Sequence, residues 1–367
     1  MKIYSNLNIT RVCVMLGEAC DFKCRHCIQQ DIHSGIKKTV SEKLIKYLQH
    51  ICDLHPGIAL QRRDLVKISF WGGEPLLYFK QIKEIIERVD RPNAEYSIVT
   101  NGANLTEKVV EYFNSLDRGV IFLSNDGPDT AKVRDANMLD SKEFCDLFNS
   151  VNMRGIDSVI HAYNQDYYRL WDYIGEKCGD IPIAHEFLEV NWAMPADLYS
   201  VDFEKYRQSC EKVTDNLIKN ILAGNIECRE YELYWRAISN LHQVLQREAK
   251  GQPTSLYPAC GPYRYASHID LQGNMYVCHS GFGKLGPVDL GFDGIYENCQ
   301  LALAVQEKRR VKRCEECFAV ALCKKGCPYV LGDLPGNEQM CEMRRIFYKA
   351  CIDMMPKFNN SYTPVEL

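Results

Sequence analysis

Between Val12 and Val190, short runs of β-branched and aromatic residues alternate with stretches whose apolar positions recur every three or four residues. The runs predict strands at Val12–Leu16, Leu65–Trp71, Tyr96–Thr100, Val120–Ser124, Asp157–Ala162 and Ile183–Val190. After the first, Ser41 is placed as an N-cap ahead of Leu44, Ile45, Leu48, Ile51 and Cys52 at helical spacing. After the second, Ile82, Ile85, Ile86 and Val89 share one helical face. Strands alternating with helices predict a parallel sheet, and right-handed crossovers would curve it into an open barrel. From Phe203 the strand signal vanishes. Phe203, Tyr206, Cys210, Val213, Leu217, Ile218 and Ile221 predict one amphipathic helix, and Tyr231–Glu248 a second. Gly251-Gln252-Pro253-Thr254 then marks a boundary. The expected organisation is a core over 1–200, a helical bridge over 201–254 and a small cysteine-rich domain over 255–367.

Composition changes this picture in one respect. The chain has 367 residues, 46% hydrophobic and 25% charged, with a net charge of −4. These values are ordinary for a globular protein and carry no electrostatic footprint for nucleic acid or a membrane surface. No apolar run reaches the roughly 18 residues of a membrane span, and the first residues lack a signal core, so a cytoplasmic protein is expected. Eighteen cysteines are unusual in that setting. Where thiols are kept reduced, clustered cysteines point to metal or catalysis. Three lie between 20 and 27 and seven between 260 and 341; the others, Cys13 and Cys299 among them, are expected to be small core residues.

The first cluster reads Cys20-Asp21-Phe22-Lys23-Cys24-Arg25-His26-Cys27, a C-x3-C-x2-C loop after the first strand. Three thiolates leave one corner of an iron–sulfur cube open, and an iron without a protein ligand can bind something reactive. A zinc clip with a distant fourth ligand, or three unrelated buried cysteines, remain readings of the spacing alone. The loops after the later strands carry further polar signals, where a parallel barrel places its site. They are Trp71-Gly72-Gly73-Glu74-Pro75, Thr100-Asn101-Gly102 and Ser124-Asn125-Asp126-Gly127-Pro128. Two glycines let the backbone approach a ligand, and the carboxylate behind them can meet an ammonium group.

The cysteine loop, the Gly-Gly-Glu-Pro segment and the two later turns together resemble the radical SAM enzymes. That resemblance implies a 4Fe–4S cluster on Cys20, Cys24 and Cys27 and S-adenosylmethionine (SAM) on the open iron. It also implies a partial (β/α)6 barrel and a 5′-deoxyadenosyl radical that takes a hydrogen atom from the substrate. By the same resemblance Gly72, Gly73, Glu74 and Pro75 meet the methionine amino group, and His26 packs near the adenine. Asn101, Ser124 and Arg134 are the other expected SAM contacts.

The C-terminal third reads Cys260, Gly273-x4-Cys278, Cys314-x2-Cys317-x5-Cys323-x3-Cys327 and Cys341. Alone, such pairs could build a zinc ribbon. The full order resembles the SPASM domain, which implies two auxiliary 4Fe–4S clusters and hence three in all. Cys260, Cys278 and Cys327 would hold the first, and Cys314, Cys317, Cys323 and Cys341 the second. Two cubes need eight ligands and the motif offers seven, so one iron is left for an outlying residue such as Cys299 or for substrate.

The resemblance implies an oxidoreductase acting on a peptide or protein, forming a thioether or carbon–carbon crosslink in a ribosomally made peptide. An electron donor such as flavodoxin or ferredoxin would supply the reducing electron. A sulfatase-maturase-like formation of formylglycine is the alternative; Tyr265 and His279 stand where that subfamily has a cysteine and an aspartate. A non-enzymatic iron–sulfur or zinc scaffold is the alternative of another class. Asp126, His279 and Asp289 are the candidate general bases. Nineteen residues precede Cys20, so a separate leader-binding protein is expected, or a docking surface on the basic run Lys308–Arg313. The plainer reading of that run is a solvated helix end.

Overall fold

The structure is a computed structural model that describes residues 9–29, 39–55, 65–190, 193–251, 266–307, 314–327, 334 and 336–355. Six strands are laid down in parallel: β1 (Arg11–Met15), β2 (Val66–Trp71), β3 (Ala94–Thr100), β4 (Gly119–Ser124), β5 (Arg154–Ile160) and β6 (Ile183–Phe187). Helices α1 (Glu42–Leu54), α2 (Phe79–Val89), α3 (Glu107–Asn114), α4 (Lys142–Asn149) and α5 (Tyr167–Cys178) connect them. Each strand expected from the sequence is present, with ends shifted by a few residues at most.

The pattern that predicts these elements also explains their packing. Alternate residues of the strands, such as Val12, Val14, Ile68, Phe70, Ile98, Ile121 and Leu123, are buried in one core against the helices. Ile82 and Ile85 of α2 are 0% exposed, and burial of such a side chain stabilises by about 1.5–3 kcal/mol. Ser41 caps α1 as its sequence suggests, its hydroxyl accepting from the Leu44 N–H at 3.2 Å.

The other strand faces line an interior. Glu186 on β6 is an electrostatic neighbour of Cys13 on β1, although four strands separate them. In a flat sheet strands five places apart would be about 24 Å distant. The sheet therefore curves back on itself as a partial barrel, which is the expected fold class.

The helices expected after Phe203 are α6 (Phe203–Leu222), capped by the Asp202 carboxylate, and α7 (Arg229–Ala249). Three further strands, none of them expected from the sequence, lie beyond α7. Strand β7 (Ala266–Asp270) pairs in parallel with β1, and β8 (Asn274–Tyr276) and β9 (Lys284–Pro287) add antiparallel pairs. The sheet thus runs β6-β5-β4-β3-β2-β1-β7-β8-β9. The C-terminal segment therefore continues the sheet of the core before adding helices α8 (Gly291–Glu307), α9 (Val320–Cys323) and α10 (Asn337–Met354). Four of the five residues of β7 are buried, on both faces, which erases the alternation that marks a strand. Cys260, Tyr265 and Lys308–Arg313 lie outside the described residues. Among the described residues, no helix is long and apolar enough to cross a membrane.

Candidate active site

The loop after β1 is held at the C-terminal edge of the sheet by bonds to three neighbouring loops. Gly73 N donates to Gly17 O at 2.9 Å and Glu74 N to Ala19 O at 2.8 Å. Arg25 N donates to Val133 O at 2.8 Å, and Lys23 N to the Asp135 carboxylate at 2.7 Å. Asn101 Nδ2 donates to Asp21 Oδ1 at 2.8 Å. These contacts hold the loop through its backbone and Asp21, and two of its thiols add weaker ones, Cys20 Sγ accepting from Asn101 Nδ2 at 3.9 Å and Cys27 Sγ from Gln29 N at 3.4 Å.

The two glycines of the second loop have a definite structural reason. A Cβ on Gly72 would lie 2.3 Å from Gly17 O, and one on Gly73 would lie 2.2 Å from Ala19 O. The close approach they permit is to the cysteine loop. Gly73→Ala is expected to lower stability by about 1–3 kcal/mol, measured by urea denaturation; a loss below about 0.5 kcal/mol would show that the two loops are not so closely docked.

Glu74 is 1% exposed. Its carboxylate accepts from Leu76 N at 2.9 Å, Thr100 Oγ1 at 2.6 Å and Asn101 N at 2.8 Å. It ties the ends of β2 and β3 together, a role the sequence does not suggest, and Pro75 opens the short helical turn after it. Burial pushes its pKa up to about 7 against those three hydrogen bonds.

Cys20, Cys24, Cys27, His26, Gly73, Glu74, Asn101, Ser124 and Arg134 all line one cavity of about 400 Å³. None of the three cysteines is in a disulfide. Burial pushes the thiols up, Cys20 to about 11 and Cys24 to about 12, so a bound iron would have to displace the proton of each. Among the described residues no three metal-binding side chains converge on one point. A cube takes one thiolate per iron, so three spaced thiols on the wall of a cavity fit that group.

Behind the cavity lies a buried charge cluster. Asp126 is 0% exposed. Its carboxylate accepts from Arg134 Nε at 2.7 Å and Nη2 at 3.3 Å, and from Val159 N at 2.9 Å. Burial alone would raise its pKa, but Arg134, His161 and His26 outweigh that and hold it well below the usual carboxylate range. His161 Nδ1 accepts from Tyr163 N at 3.1 Å, so its Nε2 carries the proton and faces Asp126 Oδ2 at 3.8 Å. His26 packs 6.0 Å from the His161 ring. Burial and then Arg134 lower its pKa to about 3, so it is a neutral packing group at the cavity wall.

The candidate bases are not brought together. Asp126 is committed to Arg134 and orients that guanidinium on the cavity. Asp289 is exposed and paired with Lys43 at the surface, outside the cavity. His279 packs against Trp71 with ring centroids 4.2 Å apart, and burial lowers its pKa to about 4. The carboxylate that sequence reasoning missed is Asp157, the register partner of Ser124 on β5. Burial and then Glu186 push its pKa up to about 8. Strand alternation places it on the same face as Ser124, but only the register shows that this face is the interior.

In the C-terminal segment, Cys323 and Cys341 are electrostatic neighbours of each other and of the buried Arg344, which pairs with Glu189 at 2.7 Å, and Cys314 neighbours Cys341. The Cys317 N–H donates to Cys314 O at 3.3 Å. Cys278 lies just after β8 and has Glu186 and Glu189 nearby. Cys327 closes the turn after α9. Cys299 is 0% exposed in the apolar core.

Residues 14–164 match the radical SAM superfamily. That stretch is a radical SAM domain. It contains the cysteine loop and every residue named above as lining the cavity. The radical SAM cyclopropyl synthase TigE of Paramaledivibacter caminithermalis is 26% identical over 191 residues, 46% of this chain. The match spans 39% of that relative's length. Among solved structures, anSMEcpe with bound AdoMet superposes with a TM-score of 0.64 at 16% identity, covering 95% of this chain and 99% of that one. Streptococcus suis SuiB bound to its precursor peptide SuiA gives 0.58 at 16% identity, covering 90% and 76%. At these identities the structural likeness shows the fold, and it reaches well beyond the radical SAM domain itself.

Proposed function

We propose that the protein is a radical SAM oxidoreductase that modifies a peptide substrate, with two auxiliary iron–sulfur clusters in residues 255–367. One observation carries the reading: Cys20, Cys24 and Cys27 share a single cavity with Asn101, Ser124 and Arg134 at the C-terminal edge of the strands. When bound, a 4Fe–4S cluster and SAM would supply a 5′-deoxyadenosyl radical able to take a hydrogen atom from substrate. The chain's own part is to position and exclude water. Arg134, held by Asp126, presents a fixed cation to the SAM carboxylate. His26, kept neutral, offers a flat apolar face to the adenine. Ser124 offers a hydrogen bond to the bound SAM, and Asn101, its amide held by Asp21 and by Ala103 N, shapes the cavity wall beside it.

The peptide class is supported by the names of its relatives: SuiB was solved with a precursor peptide and anSMEcpe with a peptide. A thioether or carbon–carbon crosslink is the proposed product class, with flavodoxin or ferredoxin as donor. In the C-terminal segment, the grouping of Cys314, Cys323 and Cys341 supports the second auxiliary cluster, and Cys278 would serve the first. Replacing Cys314 and Cys317 with alanine is expected to remove about four of about twelve irons per chain. Iron and sulfide assays on anaerobically purified protein, with zinc measured alongside, check it. An unchanged iron count would show that those thiols are not ligands.

A further inference from the structure

The turn after β5 locks one imidazole in place. His161 N donates to Asn164 Oδ1 at 2.8 Å, and Asn164 N donates back to His161 O at 3.2 Å. Asn164 Nδ2 donates to Val159 O at 2.9 Å, which ties the turn to the strand. The Tyr163 N–H takes up His161 Nδ1, which fixes both the tautomer and the orientation of the ring. Its Nε2–H is buried, has no hydrogen-bond partner among the described residues, and faces Asp126 Oδ2 at 3.8 Å. That gap is roughly 1 Å longer than a hydrogen bond. Both side chains are 0% exposed, so bulk water does not reach it.

The carboxylate has room for that donor. A carboxylate offers about four acceptor sites, and Asp126 uses them for Arg134 Nε, Arg134 Nη2 and Val159 N. Arg134 Nε and the imidazole approach the same oxygen, Oδ2. A second line of contacts joins this turn to the cysteine loop. Tyr163 Oη donates to Asp197 Oδ2 at 2.6 Å, and Arg25 Nη2 donates to the two oxygens of Asp197 at 2.7 and 2.8 Å. Arg25 in turn donates to Lys132 O and Val133 O, just ahead of Arg134. The turn is therefore linked both to the cysteine loop and to the cavity arginine.

We propose, on the reading of Arg134 as the receiver of the SAM carboxylate, that His161 is a positioning residue for SAM. Its Nε2–H holds the Asp126 carboxylate that aims Arg134 into the cavity. With SAM bound, Arg134 divides its positive charge between two carboxylates, and Asp126 closes on His161 to regain a full set of donors. The buried N–H without a partner is thus a contact that the ligand completes. No proton or electron changes hands.

The test uses full-length, anaerobically reconstituted protein and equilibrium dialysis with SAM, S-adenosylhomocysteine and methylthioadenosine. The first two carry the carboxylate, and the third lacks the whole amino-acid end. His161→Asn keeps an acceptor for Tyr163 N but removes the Nε2–H, whereas His161→Gln places an amide N–H near its position. His161→Asn is expected to weaken SAM and S-adenosylhomocysteine by about tenfold or more and to leave methylthioadenosine within about twofold. His161→Gln is expected to bind all of them within about threefold of wild type. Iron content should be the same in every variant. If His161→Asn does not fold, His161→Phe, which fills the ring volume, takes its place. Unchanged affinities, equal weakening of all the ligands, loss of iron, or no recovery in His161→Gln would each overturn the role of His161 and leave the SAM site standing. Wild-type protein that binds S-adenosylhomocysteine no better than methylthioadenosine would instead overturn the placing of the SAM carboxylate on Arg134.

Discussion

Asp126→Ala is expected to destabilise the protein by about 3–5 kcal/mol, because it leaves the Arg134 guanidinium buried without its counter-ion. The Arg134 side chain is 9% exposed and Asp126 0%, so water cannot take over the two hydrogen bonds. The loss is read from urea denaturation midpoints at neutral pH. Arg134→Met is expected to be comparably harmful, since it strands a buried carboxylate. The double variant should lose less than the sum of the two, which is the signature of a coupled pair. The pH dependence has a definite sign. The folded pKa of Asp126 is depressed, so its contribution is present above the ordinary value of about 4 and fades as pH falls through the folded pKa. The gap between wild type and Asp126→Ala should stay constant from neutral pH to about pH 5 and narrow only in strong acid. A loss below about 1 kcal/mol would mean that the cluster does not anchor this side of the cavity.

The other large effect is chemical. Replacing Cys20, Cys24 and Cys27 together with alanine is expected to abolish reductive SAM cleavage, by about a thousandfold or to the limit of detection, and to remove about four irons per chain. The variant should stay folded, because the loop keeps its bonds through Gly73 N, Glu74 N, Arg25 N and Lys23 N when the thiols are removed. A melting temperature within a few degrees of wild type separates lost chemistry from lost structure. Retained 5′-deoxyadenosine production would remove these cysteines from the site.

How far a sequence of this kind can be read depends on what each signal encodes. The six parallel strands, the Ser41 cap and the apolar face of α2 are legible because each arises from spacing along the chain. The cavity residues are legible because parallel strands deliver their C-terminal loops to one edge. Strands β7 to β9 are not, since β7 is buried on both faces and β8 and β9 hold only 3 and 4 residues. Asp157 escapes for a related reason. Alternation says that neighbours point opposite ways, but only the assembled sheet says which way is inward. Asp126 reads as a base in the sequence because its partner Arg134 arrives through a short 3₁₀ turn, Thr130–Lys132, whose geometry the sequence does not display. Asp289 offers an acid of the right type, and its pairing with Lys43 at the surface depends on two segments far apart in sequence.

A single-turnover assay on the wild-type protein probes the Cys20–Cys27 cavity itself. Anaerobically reconstituted protein is mixed with SAM and dithionite, and 5′-deoxyadenosine is quantified against a control lacking reductant. Release of 5′-deoxyadenosine that requires both SAM and reductant is the expected result. Protein that holds its iron and yet leaves SAM intact under reduction would contradict the reading of this cavity as a radical-generating site.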